Sequence, residues 1–392
     1  MKKVLAMMLV VTMFAAVLLS QPLEASAESL YIRKIVSVVY DDSGSMSNDS
    51  SNDRYVYANY AMQAFCGMLN SEDQLYITYM NDIFQRNARG EIVKDSNNKA
   101  VVNENYQPEK INLSAGGIQA SVDAIRNHHH AGNLTPYAAV ELAMKKLQSV
   151  QDSNPNTQYW LVVISDGGFN DESVPKDELD MRLSNFTQKK MPNGTNAQVS
   201  FFSIGSNAIR PTENVKKGIY SYYAADEASV VSEMSKIADR VSGRTRLSGA
   251  DVKKVDDRTI QVSSAIPLLN IAVLLQQSDA RVSGAGYLGE SSIPISRKTT
   301  LGYEATSVNP GEKHISMNGS AFLIGDSNSV ISAGTYNITF DKPVNVSDVV
   351  VLYEPALETR MSIQVNGKEV KNFAELYDTM VQGSPRSISF PV

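Results

Sequence analysis

A carboxylate and two hydroxyls stand at alternate positions directly after an apolar run near the start of the chain. Residues 38 to 46 read Val-Val-Tyr-Asp-Asp-Ser-Gly-Ser-Met, which places Asp41, Ser43 and Ser45 in a tight loop after a strand. Oxygen donors of this kind suit a hard divalent cation that keeps several of its waters. The same residues suit an ordinary turn, because Asp and Ser bond their own backbone and Gly tolerates a positive φ. The pentapeptide alone therefore leaves a metal loop and a plain turn open.

Two later segments carry further oxygen donors. The first is Gly-Asn-Leu-Thr-Pro, in which Thr135 stands directly before Pro136. The second is Leu-Val-Val-Ile-Ser-Asp-Gly, another apolar strand, which ends in Asp166. Each has a structural alternative, because Thr135 and Pro136 suit the cap and first residue of a helix, and Asp166 before two glycines suits a turn.

The three segments, in this order, resemble the metal-ion-dependent adhesion site of the von Willebrand factor type A family. The resemblance rests on Asp-x-Ser-x-Ser, a Thr before a Pro and a strand-terminal Asp-Gly, and it covers about half of the chain. It implies that Mg²⁺ or Mn²⁺ is held by Asp41, Ser43, Ser45, Thr135 and Asp166. Because three of these ligands are neutral hydroxyls, the ion would stay electrophilic and keep a position open. The resemblance further implies that a protein partner fills this position with an Asp or Glu carboxylate, in a binding module that catalyses no reaction.

Two residues depart from the family pattern. Asp42 stands where an uncharged residue is commoner. It is expected either to add negative potential at the rim of the site or to be a solvated surface carboxylate. Leu134 stands where the family often has Gly, which affects the expected shape of the loop more than its Thr135 ligand.

Three consecutive histidines, His128, His129 and His130, precede Thr135 in the same loop region. Neighbouring side chains cannot all face one ion from a regular element, and no suitably spaced Cys or acidic partner is nearby, so a zinc site is not favoured. The pattern predicts a solvated loop cluster. Protonation of these imidazoles under mild acidity could affect partner binding.

Short apolar runs alternate with helical periodicities between residues 31 and 243. The runs are typical of strands covered on both faces: Ile35 to Val39, Leu75 to Tyr79, Trp160 to Ile164 and Val199 to Ile204. The apolar faces of helices lie at 58/62/65/66/69, 118/122/125, 140/144/147, 179/183/186 and 230/234/237/241. The predicted class is α/β, a doubly wound and mostly parallel sheet, in which ligands bind where strands end and the chain order switches. Asp41 and Asp166 both follow such strand ends. Residues 85 to 113 are predicted to form a hairpin excursion with a turn near 95 to 98.

The pattern changes beyond residue 245 to alternating and continuous apolar stretches. Candidate strands are Leu269 to Leu275, the alternation at 336/338/340, Val346 to Tyr353 and the alternation at 361/363/365. Asn366-Gly367 follows the last of these and is a strong hairpin signal. These features predict an all-β, sandwich-like domain of immunoglobulin-like architecture over residues 246 to 392. The α/β domain is placed at 31 to 243.

The amino terminus has the features of a signal peptide. Lys2 and Lys3 precede an almost wholly apolar stretch from 4 to 20, and Ala25-Ser26-Ala27 offers a cleavage site. Removal of residues 1 to 27 and secretion are therefore expected, with an uncleaved anchor as the alternative. No second apolar run approaches spanning length, and no wall-sorting signal is evident, so the mature chain is expected to lack a membrane span.

Composition narrows the classes of partner. The chain has 392 residues, 43% hydrophobic and 20% charged, which is ordinary for two globular domains. Its formal net charge of −6 argues against a nucleic-acid partner. Cys66 is the only cysteine, so no internal disulfide can form, and its helical position predicts a buried thiol.

Two other functions remain open at this level. One is a metal-dependent phosphohydrolase with Ser43 as nucleophile and Asp41 or Asp42 holding the metal. Such an enzyme normally needs two metals with several Asp and His ligands, and His314 is the only histidine outside the cluster at 128 to 130. The other is a module in which the metal is purely structural. The sequence does not determine the oligomeric state, the partner or which divalent metal is used.

Overall fold

A computed structural model describes most of the chain beyond the predicted signal peptide. It describes residues 31–47, 54–128, 132–169, 174–206, 208–225, 227–276, 278–287, 292–304, 316–325, 330–356, 363–365 and 368–371. The predictions for residues 1 to 27, His129, His130, His314, Met361 and Asn366-Gly367 lie outside these ranges.

The first half of the chain folds around one six-stranded sheet. Its strands are β1 (Lys34–Tyr40), β2 (Gln74–Tyr79), β3 (Glu109–Ile111), β4 (Gln158–Ser165), β5 (Gln198–Ile204) and β6 (Ile219–Ala224). The spatial order is β3-β2-β1-β4-β5-β6, and every pairing is parallel except that of β3 with β2. Every residue of β1 and β4 is buried, which explains why their sequences are mostly apolar. The doubly wound, mostly parallel sheet is confirmed.

Helices cover both faces of this sheet. They are α1 (Gly44–Ser47), α2 (Arg54–Met68), α3 (Ile118–Asn127), α4 (Tyr137–Ser149), α5 (Lys176–Gln188) and α6 (Glu227–Ser242). Because side chains alternate along a strand, Val38 packs in the core with α2, α3 and α6, whereas Val39 packs with α4 and α5. Cys66 is buried on α2, as predicted, and burial raises the pKa of its thiol.

The second half is a β-sandwich. Its strands are β7 (Thr245–Arg246), β8 (Lys253–Asp256), β9 (Thr259–Ser264), β10 (Leu268–Gln276), β11 (Val282–Tyr287), β12 (Ile295–Glu304), β13 (Ser316–Ile324), β14 (Gly334–Phe340), β15 (Val349–Pro355), β16 (Ile363–Val365) and β17 (Lys368–Lys371). Sheet β12-β13-β10-β15-β7 faces sheet β11-β14-β9-β8, with Ile260, Val273 and Phe340 in their shared core. The sandwich class is therefore confirmed. β16 and β17 pair in antiparallel orientation, with Val365 opposite Lys368.

The predicted strand from Val346 to Tyr353 begins later than expected. Val346–Asp348 is a single 3₁₀ turn, and β15 then runs to Pro355. The last strand residues matter for the fold, because Glu354 of β15 enters a buried polar cluster between the two halves.

The two halves share one hydrophobic core and this polar cluster. Leu301 and Ala321 of the sandwich pack in the same core as the helices α2, α3 and α6. Beside that core, Glu354 is 1% exposed and accepts a hydrogen bond from Lys34 Nζ at 3.0 Å. The Arg244 guanidinium, also 1% exposed, lies 3.4 Å from the other Glu354 oxygen and donates to Asn270. Buried contacts at the start of β1 therefore attach the sandwich to the α/β half of the chain.

The excursion after β2 forms a small β-meander. The backbone of Gln85 forms hydrogen bonds with the backbone of Val101 and of Val93. Across the turn, the backbone N of Asp95 donates to the Lys99 carbonyl. Asn98 has a φ of 62° there, which confirms the predicted turn.

Candidate metal centre

The two predicted carboxylates lie side by side where the chain order of the sheet switches. Asp41 directly follows β1, and its backbone N donates to the Ile164 carbonyl of β4 at 3.0 Å. Asp166 directly follows β4. From β1 the chain continues to β2 on one side, and from β4 it continues to β5 on the other. Ligand sites of doubly wound sheets form at this kind of position.

Asp41 is completely buried and held by three groups. Its Oδ1 accepts a hydrogen bond from Ser43 N at 3.0 Å, and its Oδ2 accepts one from the Ser165 hydroxyl at 2.7 Å. The pKa of Asp41 is raised to about 6, chiefly by burial and also by the negative charge of Asp166, while hydrogen bonds from Ser43 and Ser165 lower it. The Asp41 carboxylate is thus fixed in orientation. It also lies close to the Asp166 carboxylate in a buried environment that disfavours negative charge.

The two serines connect this loop to Asp166. Ser43 Oγ lies 3.0 Å from Ser45 Oγ, and Ser45 Oγ donates to Asp166 Oδ1 at 2.9 Å. Ser43 and Asp166 are 2% and 3% exposed, whereas Ser45 is exposed. One side of the cluster therefore faces solvent.

Thr135 lies on a third loop, which contacts the segment after Asp166. Its Oγ1 donates to the Gly168 carbonyl at 2.7 Å, two residues past Asp166, and its residue is 6% exposed. A parallel bridge between Gly132 and Ser43 joins this loop to the first one. The alternative role of Thr135 as the helix cap is not seen, because α4 begins at Tyr137 with Pro136 in the cap position. Hydrogen bonds thus join four of the five predicted residues, Asp41, Ser43, Ser45 and Asp166, and Thr135 lies on a loop that contacts both of the segments that carry them.

The expectation that Asp42 is a rim or surface carboxylate was wrong. Asp42 is completely buried, and its Oδ1 accepts two hydrogen bonds of 2.9 Å from Asn81, one from the backbone N and one from Nδ2. The side chain of Asn81 also exchanges hydrogen bonds with the backbone of Leu134, at 2.9 and 3.1 Å. Asn81 therefore ties the Asp41 loop to the Thr135 loop.

His128 is likewise not part of a solvated cluster. Its ring stacks on Tyr79, with centroids 3.5 Å apart, and its Nε2 lies 3.2 Å from Asp42 Oδ2. Its side chain is only 17% exposed. The residue follows α3 directly, which brings the end of that helix against β2. Neither the Asp42 nor the His128 arrangement was predicted.

The donor set fits a small, hard cation. It combines two buried carboxylates with three hydroxyls, the oxygen ligands that Mg²⁺ and Mn²⁺ accept. Two adjacent buried carboxylates are electrostatically unfavourable alone, and a divalent ion would relieve that repulsion. Within the described ranges no group of three or more His, Cys, Asp or Glu side chains is placed to hold a metal. Hydroxyls would therefore have to complete the coordination.

Comparisons with known proteins give only distant matches. No protein-family model matches the chain, and no curated protein sequence matches it. Among solved structures, proximal thread matrix protein 1 from the mussel byssus is similar over 55% of this chain, with 13% identity and a TM-score of 0.32. The chain covers 49% of that protein, about half of its length.

Two further structures are similar at the same level. The manganese-loaded TRAP protein of Plasmodium vivax has 13% identity and a TM-score of 0.30, over 52% of this chain and 72% of that one. The pilus adhesin SpaC from Lactobacillus rhamnosus GG has 12% identity and a TM-score of 0.29, over 87% and 41%. Similarity this distant assigns no family to the chain.

Sequence reasoning missed Asn81, which holds the two site loops together. A signal was present, because Asn81 follows β2 closely, and β2 is the parallel neighbour of β1. Because the carboxyl ends of parallel strands meet at one edge of the sheet, Asn81 lies at the same edge as Asp41 and Asp166.

Proposed function

We propose that this protein is a metal-dependent protein-binding module. In this proposal Asp41, Ser43, Ser45, Thr135 and Asp166 hold Mg²⁺ or Mn²⁺, and a carboxylate of a partner protein completes the coordination. The observation that supports it most is the continuous contact from Ser43 through Ser45 to Asp166 beside the buried Asp41. When bound, the ion would supply an electrophilic position for an acidic ligand.

The chain's own residues would keep the site selective for such a ligand. Ser165 and the Ser43 backbone N hold the Asp41 carboxylate in one orientation. Ser45 is exposed while the other donors are buried, which gives an incoming group access from one side. With only two carboxylates in the donor set, a bound dication would not be over-neutralised, and an anionic ligand would still be attracted.

The phosphohydrolase alternative has less support. The Ser43 hydroxyl contacts the Ser45 hydroxyl, whereas the nearby imidazole of His128 contacts Asp42. Such an enzyme normally needs two metals with several Asp and His ligands, and among the described residues no group of three or more His, Cys, Asp or Glu side chains is placed to hold a metal. Hydrolysis of p-nitrophenyl phosphate that depends on both Mn²⁺ and Ser43 would favour the enzyme instead.

The structural-metal alternative differs in what a chelator would do. If the ion only stabilises the fold, its removal lowers the melting temperature strongly and affects no partner. Export of the mature chain, with removal of residues 1 to 27, is part of the proposal and rests on the sequence. Among the described residues no helix is both long and apolar enough to cross a membrane.

A peptide array tests the binding function directly. The array presents peptides with a central Asp or Glu beside matched peptides with Asn or Gln, and binding is measured in Mg²⁺, in Mn²⁺ and in EDTA. We expect acidic peptides alone to bind, only with metal, and to lose binding in Asp41→Ala but not in Asp177→Ala, which changes an exposed carboxylate on α5. Binding that survives EDTA, or that does not distinguish Glu from Gln, would contradict the proposal.

A further inference from the structure

A second polar groove lies at the opposite end of the six-stranded sheet from the candidate metal centre. It has a volume of about 630 Å³ and is lined by the segments that precede β4, β5 and β6. β4 has eight residues, and at about 3.3 Å per residue its two ends lie about 23 Å apart. The groove is therefore separate from the cluster around Asp41 and does not depend on the function proposed for it.

The charge of the groove is opposite to that of the chain. Its lining includes Lys190, Lys216 and Lys217 and contains no Asp or Glu. The whole chain has 42 acidic and 36 basic residues. Three lysines without a lining carboxylate produce a local positive potential that attracts anions. Lys190, Lys216 and Lys217 are exposed, so they form the rim.

The floor of the groove is buried and polar. Thr157, Gln158 and Thr187 line it and are 0%, 8% and 1% exposed. Thr187 donates to the Ser184 carbonyl, but the Thr157 hydroxyl has no hydrogen-bond partner among the described residues. A buried hydroxyl without a partner is unfavourable, and an oxygen or hydroxyl of a ligand in the groove would satisfy it.

Two glutamine side chains in the lining each use their amide oxygen as an acceptor within the protein. Gln158 Oε1 accepts a hydrogen bond from Trp160 Nε1 at 3.1 Å, and Gln198 Oε1 accepts one from the Tyr220 hydroxyl at 3.3 Å. These bonds use the acceptor end of each amide, so the Nε2 ends are left to donate. Together with the lysines, they favour a ligand rich in oxygen acceptors.

We propose that this groove binds a saccharide or polyol that carries a phosphate or carboxylate group. Lys190 and Lys216 on the rim would contact the oxyanion, and Thr157 with the two glutamines would contact ligand hydroxyls. The volume suits a ligand of one or two sugar rings. A neutral sugar would leave the lysines unused, and a bare anion would leave the amide and hydroxyl floor unused.

The groove contains its own reporter of occupancy. Trp160 is the only tryptophan, its Nε1 contacts Gln158, and its ring stacks on Tyr220 at 5.9 Å. Ligand binding at the floor changes the environment of this indole. Tryptophan fluorescence therefore locates binding, while saturation-transfer NMR detects it independently.

The test compares glucose 6-phosphate, glucuronate, glucose and inorganic phosphate at low ionic strength. We expect at least one of the two charged sugars to bind more tightly than glucose and inorganic phosphate, with a change in Trp160 fluorescence. Which of them binds identifies the oxyanion. Lys216→Ala should weaken that binding about fivefold, as for loss of one exposed charge contact, and Thr157→Val should weaken it with the fold intact.

Lys253→Ala serves as the matched control, because Lys253 is exposed on β8 of the sandwich. It removes the same charge from the protein at a place far along the chain from the groove. The proposal is overturned if neither charged sugar binds more tightly than both glucose and inorganic phosphate. It is also overturned if Lys216→Ala and Lys253→Ala weaken binding equally.

Discussion

Asn81 donates two hydrogen bonds of 2.9 Å to a single oxygen of Asp42. The side-chain amide of Asn81 also donates to the Leu134 carbonyl and accepts a hydrogen bond from the Leu134 backbone N, next to Thr135. One side chain thus fixes the spacing of two loops that carry four of the five proposed metal ligands, Asp41, Ser43 and Ser45 on one and Thr135 on the other. The proposed metal ligands on the two loops therefore need no direct contact with each other to keep their spacing.

Replacing Asn81 should therefore loosen the site as well as destabilise the fold. In Asn81→Ala the buried Asp42 carboxylate loses a donor and the Leu134 backbone loses its partners. We expect the free energy of unfolding to fall by about 2–4 kcal/mol, as for a broken buried polar network. Urea titration measures this, and Mg²⁺ affinity should fall in parallel. Asn97→Ala, at an exposed turn, is the control, and equal losses in both variants would contradict this role.

The buried ion pair between the two halves should be a major determinant of stability. Lys34 and Glu354 are 0% and 1% exposed and lie 3.0 Å apart. Lys34→Ala leaves Glu354 with one cation fewer in a buried place, and breaking such a pair costs about 3–5 kcal/mol. The exposed pair of Lys236 with Glu233 gives the comparison, because Lys236→Ala should cost about 0–1 kcal/mol. Similar losses in the two variants would show that burial at Lys34 has no special effect.

The same pair predicts a dependence of stability on pH. Burial alone would raise the pKa of Glu354, but Lys34 and Arg244 oppose this and hold it below its ordinary value. A carboxyl whose pKa is lowered in the folded state stabilises the fold above its unfolded pKa, about 4.3. That contribution is lost as the pH falls through the folded value.

Glu354→Gln tests this dependence, since it removes the titrating group at similar volume. The variant should be less stable than the wild type near neutral pH. The difference in unfolding free energy between them should shrink as the pH falls below the ordinary range of Glu. Urea titrations from pH 7 to pH 3 measure it. A difference that stays constant with pH would mean that Glu354 does not titrate in this range.

Close packing between α2 and the sandwich gives a further prediction. A Cβ on Gly67 would lie 2.8 Å from the Ala321 Cβ of β13, closer than real contacts allow. Gly67→Ala should therefore destabilise the protein by about 1–3 kcal/mol through overpacking. Gly116→Ala, where a Cβ meets nothing within 4 Å, should not destabilise it, and thermal unfolding of both variants measures the contrast. A Gly67→Ala variant that is as stable as the wild type would show that the two halves separate easily at this contact.

The central strands and the site segments were predictable because their signals are local. β1 and β4 are buried strands of mostly apolar sequence, and the carboxylates Asp41 and Asp166 follow them directly. β6 was not predicted, because its sequence, Ile-Tyr-Ser-Tyr-Tyr-Ala, is partly exposed at the sheet edge and lacks a continuous apolar run. Edge strands carry weaker hydrophobic patterns than central ones.

The contacts that were not predicted are set by distant residues. Asp42 is buried because Asn81, 39 positions later, supplies its donors, and a short loop sequence alone suggests exposure. Lys34 and Glu354 are 320 positions apart, and a charged residue is normally expected at the surface. Tertiary contacts of this kind leave no periodic pattern in the sequence.

Isothermal titration of Mg²⁺ and Mn²⁺ into the protein measures directly whether the cluster around Asp41 and Asp166 binds a divalent cation. The wild type is compared with Asp41→Ala and Asp166→Ala, each shown to be folded by circular dichroism, and with Asp177→Ala as a control that removes an exposed carboxylate. We expect one metal site in the wild type and in the control, and no metal binding in Asp41→Ala or Asp166→Ala. If neither ion binds the wild type, even with an acidic peptide in excess, the metal-dependent function is wrong.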